Sequence, residues 1–276
     1  MRYARLGAVT IALVILGTLI ALLLPAIQKV NEAAARTQST NNLKNIGLSA
    51  QGFHDANKRL PFNGSDSLVD KVQYTRKARA HTYVSGSWGW QVLPFVESGP
   101  YFSRPEMCEF RGIWSYYCPG RGRPMGELAS DYAISNYIND PENAETPDNA
   151  DRKRKLDDIT DGQANTIFFG HGNLSTDDYA KPRGVIGSSS HQIGGTFGTT
   201  RSGPNWVKGQ SLSVELRRDN ADPPNFKAGG WGGPFSQGAL MAMGDASVRM
   251  FAYTMSGEVF AAFLTPTGGE KMEMPE

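Results

Sequence analysis

Three aspartates, Asp157, Asp158 and Asp161, followed by Gly162 and Asn165, are the densest run of potential metal ligands in the chain. Carboxylate oxygens at such short spacing suit a hard cation, and Ca²⁺ is the candidate. The run lacks the glycine and distal glutamate of an EF-hand loop, so the competing reading is an Asx-rich turn leading into a strand over 166–169. Ser188, Ser189 and Ser190 with His171 and His191 could supply a nucleophile and a base. No strand-turn-helix Gly-x-Ser-x-Gly context surrounds them, and serine runs beside glycine are usually loop, so no catalytic residue is expected there. Cys108 and Cys118 stand ten apart among aromatics and glycine. In an exported chain such a pair most simply closes a small surface loop as a disulfide; reduced, unrelated thiols are the alternative. Four histidines and two cysteines leave little for a transition-metal centre.

Other constellations are weaker. The glycine-rich stretches at 195–203 and 229–234 lack the Lys-Ser/Thr pair of a phosphate loop. The basic run 71–79 reads as a solvated loop, with lipid headgroups or cell-wall polyanions as its rival partners. Trp88 and Trp90 alternate with their neighbours as in a half-buried strand, whereas tryptophans on a glycine-rich surface also suit sugars or a partner protein. A formal net charge of +1 gives no reason to expect nucleic acid as a partner. No small-molecule substrate is indicated, and no cofactor beyond the weak calcium candidate.

The elements that would position these groups begin with an apolar block. Residues 6–27 carry no charged side chain. At 1.5 Å per residue, a helix of that length spans a hydrocarbon core roughly 30 Å thick. A cleaved secretory signal competes, with Arg2 and Arg5 as its basic region, but the run is long and no small-x-small site closes it. A single-pass anchor is the expectation: residues 1–5 a short cytoplasmic tail, 6–27 the transmembrane helix, the domain outside the cytoplasmic membrane. The flanking charges are nearly balanced, so this orientation rests on the short tail and the cysteine pair. Ala12, Gly17 and Ala21 offer small residues for helix packing in the bilayer, and Pro25 sits near its exit.

Beyond the block the helix is expected to continue over 28–60. Leu43, Ile46, Ala50 and Phe53 recur at spacings of three and four, an apolar stripe that a sheet must cover. Short β-like runs at 88–96, 114–118, 132–138, 165–170, 212–216, 239–244 and 247–253 supply one, and Asp245-Ala246 reads as a hairpin turn between the last two. The fold class is α+β: a long N-terminal helix, membrane-spanning in its first half, packed on an antiparallel sheet with long loops, residues 61–276 forming the globular part.

Six ordered blocks carry a resemblance: 19–61 through the anchor and helix, WGWQVLPFVE (88–97), YYCPGR (116–121), LDDITDGQANTIFFG (156–170), WGGPFSQGALMAMGDASVRMF (231–251) and LTPTGGE (264–270). With them the chain resembles the planctomycete-type DUF1559 family of large pilin-like, type II secretion pseudopilin G-like proteins. The resemblance implies a pilin-type helix, a membrane-anchored structural role in the cell envelope, other pilin-like subunits or envelope proteins as partners beside the bilayer, and a structural calcium. It also marks departures. The cleavage glycine and the membrane glutamate of the family's processed members fall at Tyr3 and Ala8, and Gly7 offers no following glutamate. Asp-Gly in the C-terminal block becomes Asp245-Ala246, and the family's His-Pro-Gly-Gly becomes Phe235-Ser236-Gln237-Gly238. The expected function is assembly or display without catalysis. Its alternatives are a tethered binding module for a saccharide or exported protein, and an envelope hydrolase.

Overall fold

The computed structural model describes residues 2–61, 88–96, 113–123, 130–135, 138, 155–179, 200–201, 214–220 and 230–269, with helix side chains from Leu13 onward. One helix, α1 (Arg2–Asn57, 56 residues), runs unbroken from the apolar block into the domain, with Pro25 inside it. From Leu13 to Val30 its large apolar side chains are all exposed, and this half is long and apolar enough to cross a membrane. Farther on, Ser39, Asn42, Leu43, Ile46, Ser49, Ala50 and Phe53 are buried, again at steps of three and four. Burying Leu43, Ile46 and Phe53 contributes on the order of 6 kcal/mol, which fastens the helix to the domain. The helix ends where Lys58 turns to φ +56, its N–H bonding the carbonyl of His54.

A five-stranded sheet packs on that stripe. Its strands are β1 (Tyr132–Ser135), β2 (Ile167–His171), β3 (Thr200–Arg201), β6 (Ala239–Met243) and β7 (Val248–Phe251), in the order β3-β1-β2-β6-β7. All pairs are antiparallel except β1–β3. Strands β4 (Leu216–Arg218) and β5 (Trp231–Gly233) form a separate parallel pair. Strand β6 shows how the sheet divides two cores. Leu240 and Ala242 join the helix-side core. Ala239, Met241 and Met243 join Trp231, Phe251 and Phe260 on the other side, under a short helix α2 (Gly257–Ala262) capped by the Ser256 hydroxyl. A register shift between Ile167 and Phe169 lets Phe168 and Phe169 both enter the helix-side core.

Two sequence expectations change. Segments 88–96 and 114–118 are a single helical turn (Trp88–Gln91) and 3₁₀ turns (Leu93–Phe95, Trp114–Tyr116) rather than strands. Their apolar residues, Trp88, Val92, Leu93 and Tyr116, are buried in the helix-side core, so they share it with α1 without joining the sheet. The turn between β6 and β7 lies where Asp245-Ala246 placed it. Ala246 holds φ +63 there, a conformation glycine adopts more readily. A Cβ at Gly47 would come within 3.0 Å of Ala246, so the helix and the turn meet through their smallest groups.

Candidate functional site

The polar groups of the fold gather where α1 joins the domain. Ser39, 0 % exposed, is the centre of one cluster. Its hydroxyl lies 2.9 Å from the Tyr132 hydroxyl and 2.9 Å from His171 Nε2. His171 Nδ1 accepts the Leu240 N–H at 3.4 Å, which puts the ring proton on Nε2, donating to Ser39. Asn42 donates to the Tyr117 carbonyl at 3.0 Å, and the Tyr132 ring stacks on His171 with centroids 5.0 Å apart. Burial, with the nearby Arg121 charge, pushes the His171 pKa down to about 3, so the ring is neutral at ordinary pH. A serine hydroxyl on a histidine has the composition of a nucleophile and its base. Here both lie wholly inside the protein, and Nδ1 meets a backbone N–H rather than a carboxylate, so the arrangement stitches α1 to β1, β2 and β6.

Beside it is a buried ionic hub. Arg121 donates to Asp131 at 2.9 Å and to Asp219 at 2.8 Å, and to the carbonyls of Asp131 and Gly172. Arg123 also reaches Asp131 at 2.9 Å. Asp131 takes the Cys118 N–H, and Asp219 takes the Leu174 N–H and the Tyr179 hydroxyl. Burial opposes the Asp131 charge, but Arg121, Arg123 and the Cys118 N–H hold its carboxyl below the usual range. Burial likewise opposes the Arg121 charge, and the Asp219 and Asp131 carboxylates more than offset it, so the guanidinium pKa rises well above normal. The hub fastens the 119–121 turn, β1 and the β4–β5 pair into one body.

A third set lies closest to the apolar half of the helix. Glu32 accepts both the N–H (3.1 Å) and the hydroxyl (2.8 Å) of Ser236, and Arg36 donates to Gln237 Oε1. Those hydrogen bonds, with the nearby charges of Arg218 and Arg36, lower the Glu32 pKa against a small burial effect. Phe235, beside Ser236, is buried with its ring 5.8 Å from His171.

The residues singled out by sequence fall as follows. Leu43, Ile46, Ala50 and Phe53 are buried together. Gly17 and Ala21 are exposed on the apolar half, with nothing within 4 Å of a Cβ at Gly17; the Ala12 side chain lies outside the described residues, and Pro25 is intrahelical. Asp157, Asp158 and Asp161 do not converge. Asp158 accepts the Lys155 N–H at 2.6 Å, Asp161 accepts the N–H groups of Gly268 (2.7 Å) and Gly269 (2.9 Å), and Asp157 is exposed. Among the described residues no three His, Cys, Asp or Glu side chains are grouped to hold a metal. The aspartate run instead caps backbone, pinning the C-terminal Gly-Gly segment. Cys118 is a free, buried thiol rather than half of a disulfide with Cys108, which lies outside the described residues. Its sulfur sits against Ser39 inside the junction, where burial pushes its pKa up to about 12, and not on a surface loop. Ser188, Ser189, Ser190, His191, Trp206 and the basic run 71–79 also lie outside the described residues. Trp88 and Trp231 are core residues, whereas Trp114 is 77 % exposed.

Residues 28–108 and 116–258 match the family described as a protein of unknown function, DUF1559. The chain belongs to the DUF1559 family. No curated protein and no solved structure compared with it matches. Ser39, Tyr117 and Cys118, Gly120 and Arg121, and Phe235–Gly238 all fall inside the matched stretches, so the junction is built from the family's own segments.

Proposed function

We propose that this DUF1559 chain is a non-catalytic, single-pass protein of the cytoplasmic membrane that displays its domain on the outer side, as a pilin-like or pseudopilin-like structural element of the envelope. One observation carries the reading. A single helix is fully exposed and apolar over a bilayer's length, then becomes the spine of the domain without a linker. A secretory signal has no reason to be continuous with the core of the folded product, because its removal would leave that core helix to start anew. The polar groups with the composition of a catalytic site are spent on locking helix to sheet, which favours assembly or display over bond chemistry. The missing glycine and glutamate at Tyr3 and Ala8 favour a permanent anchor over a processed subunit.

The test is membrane fractionation with the mass of the mature protein. An uncut N-terminus, resistance to alkaline extraction and protease access to the domain only from outside are expected. A membrane-bound species starting near Ala8 would restore a processed subunit, and a soluble species starting beyond the apolar run would refute the anchor. Trp114 supports the second reading, a tethered saccharide- or protein-binding module. Binding on a glycan array that disappears in Trp114→Ala would favour it.

A further inference from the structure

The domain meets α1 very soon after the apolar run ends. Ile27 closes that run, and Glu32, five residues on, already holds Ser236 through two hydrogen bonds. One turn later Arg36 holds Gln237. Along a helix these anchor points lie about 8 Å and about 14 Å beyond Ile27. The polar layer of one leaflet is roughly 5–8 Å deep, so the β5–β6 connection is carried at or just above headgroup depth. It has no freedom to retreat. Phe235 is buried beside His171, and the Gly120 backbone approaches so closely that a Cβ there would stand 2.7 Å from the Phe235 ring. Lys29 is exposed on the helix below the loop, and Arg218 is exposed near enough to act on Glu32. Glu32, the acidic group between them, is engaged by Ser236.

We propose that the loop 234–238, flanked by Lys29 and Arg218, is a docking surface for the phosphates of anionic phospholipid headgroups, seating the domain directly on the bilayer it emerges from. This rests on the anchor reading above. With the Ser236 N–H and hydroxyl taken by Glu32, the two cations and the exposed Gln237 side-chain amide offer the donors to phosphate oxygens, and a basic group near an anionic surface gains appreciable attraction there.

The full chain, with Cys108→Ser and its buried Cys118 left in place, is reconstituted into vesicles and labelled with a fluorophore at Gln237→Cys or at Asp55→Cys. Asp55 is exposed and about 28 Å farther along the helix. Headgroup-nitroxide lipid should quench the label at 237 several-fold more strongly than the label at 55. The quenching at 237 should be stronger in phosphatidylglycerol-rich than in phosphatidylcholine vesicles, and Lys29→Gln with Arg218→Gln should abolish that difference. Equal quenching at both positions in protein that floats with the vesicles overturns the docking and leaves the anchor standing. Indifference to lipid charge overturns the phosphate recognition. Loss of flotation after an alkaline wash overturns the anchor, and the docking falls with it.

Discussion

Acid should loosen the helix–domain junction through His171 well before the carboxylates titrate. The imidazole is buried and neutral, with its pKa pushed down to about 3, against 6.5 for a free imidazole. A depressed pKa means that the folded state refuses a proton which the unfolded chain accepts. The resulting stability is fully present above pH 6.5 and is lost as pH falls from there towards 3. Each pH unit within that window is worth about 1.4 kcal/mol. At pH 5 the unfolded imidazole is about 1.5 pH units below its midpoint while the folded ring is still neutral, so moving from pH 7 to pH 5 should cost roughly 2 kcal/mol. The result does not depend on the last unit of the folded pKa, because any value below about 4 gives nearly the same loss at pH 5. Urea unfolding of the detergent-solubilised full chain, followed by the fluorescence of the buried Trp88 and Trp231, measures it. The control is His171→Gln, which keeps an N–H donor but cannot titrate. Parallel pH dependence in the two proteins would show that His171 is solvated or already protonated in the fold, and the tautomer assigned from its partners would be wrong.

Four further outcomes follow from the same geometry. Arg121→Met should lower stability by about 3–5 kcal/mol, since it leaves the Asp131 and Asp219 carboxylates buried against an apolar side chain; an unchanged urea midpoint would refute the hub. Gly238→Ala would place a Cβ 2.3 Å from the Phe251 carbonyl; it should cost about 3 kcal/mol. Gly17→Ala meets nothing and should leave the thermal midpoint unchanged or slightly higher. Asp161→Asn should cost about 1 kcal/mol and free the Gly268–Gly269 segment to proteolysis, whereas chelators should leave the thermal midpoint of the unmodified chain in place.

The helix was legible because its signals are local: an uncharged run long enough for lipid, then a stripe with the period of a helix. The β6–β7 hairpin was legible for the same reason, its alternating residues flanking a turn that names itself. Segments 88–96 and 114–118 were misread because aromatic and branched residues suit a strand and a tightly packed turn equally well. Pro94, in the first positions of the Leu93–Phe95 turn, was the available hint in the first segment, and the Trp114–Tyr116 turn carries none. The junction was illegible for a different reason. Ser39 finds its partners 93 and 132 residues away, and neither hydroxyl nor imidazole carries any periodic signature. The aspartate run misled in the opposite sense. Its density suggested a cation, but Asp161 answers to backbone N–H groups 107 and 108 residues downstream.

The absence of a linker has a mechanical consequence. From Pro25, where the helix lacks one backbone hydrogen bond, to its end at Asn57 is a rigid arm of about 48 Å, and the domain is fastened along it from Glu32 onward. Tilting the arm by about 10°, as a change of bilayer thickness can require, carries its tip through roughly 8 Å. The same stiffness removes swivel. In the anchored arrangement proposed above, neighbouring copies keep only in-plane translation and rotation about the normal, so they meet at matching heights. Much of the orientational entropy that free partners lose on association is already gone, and weak lateral contacts become sufficient for order.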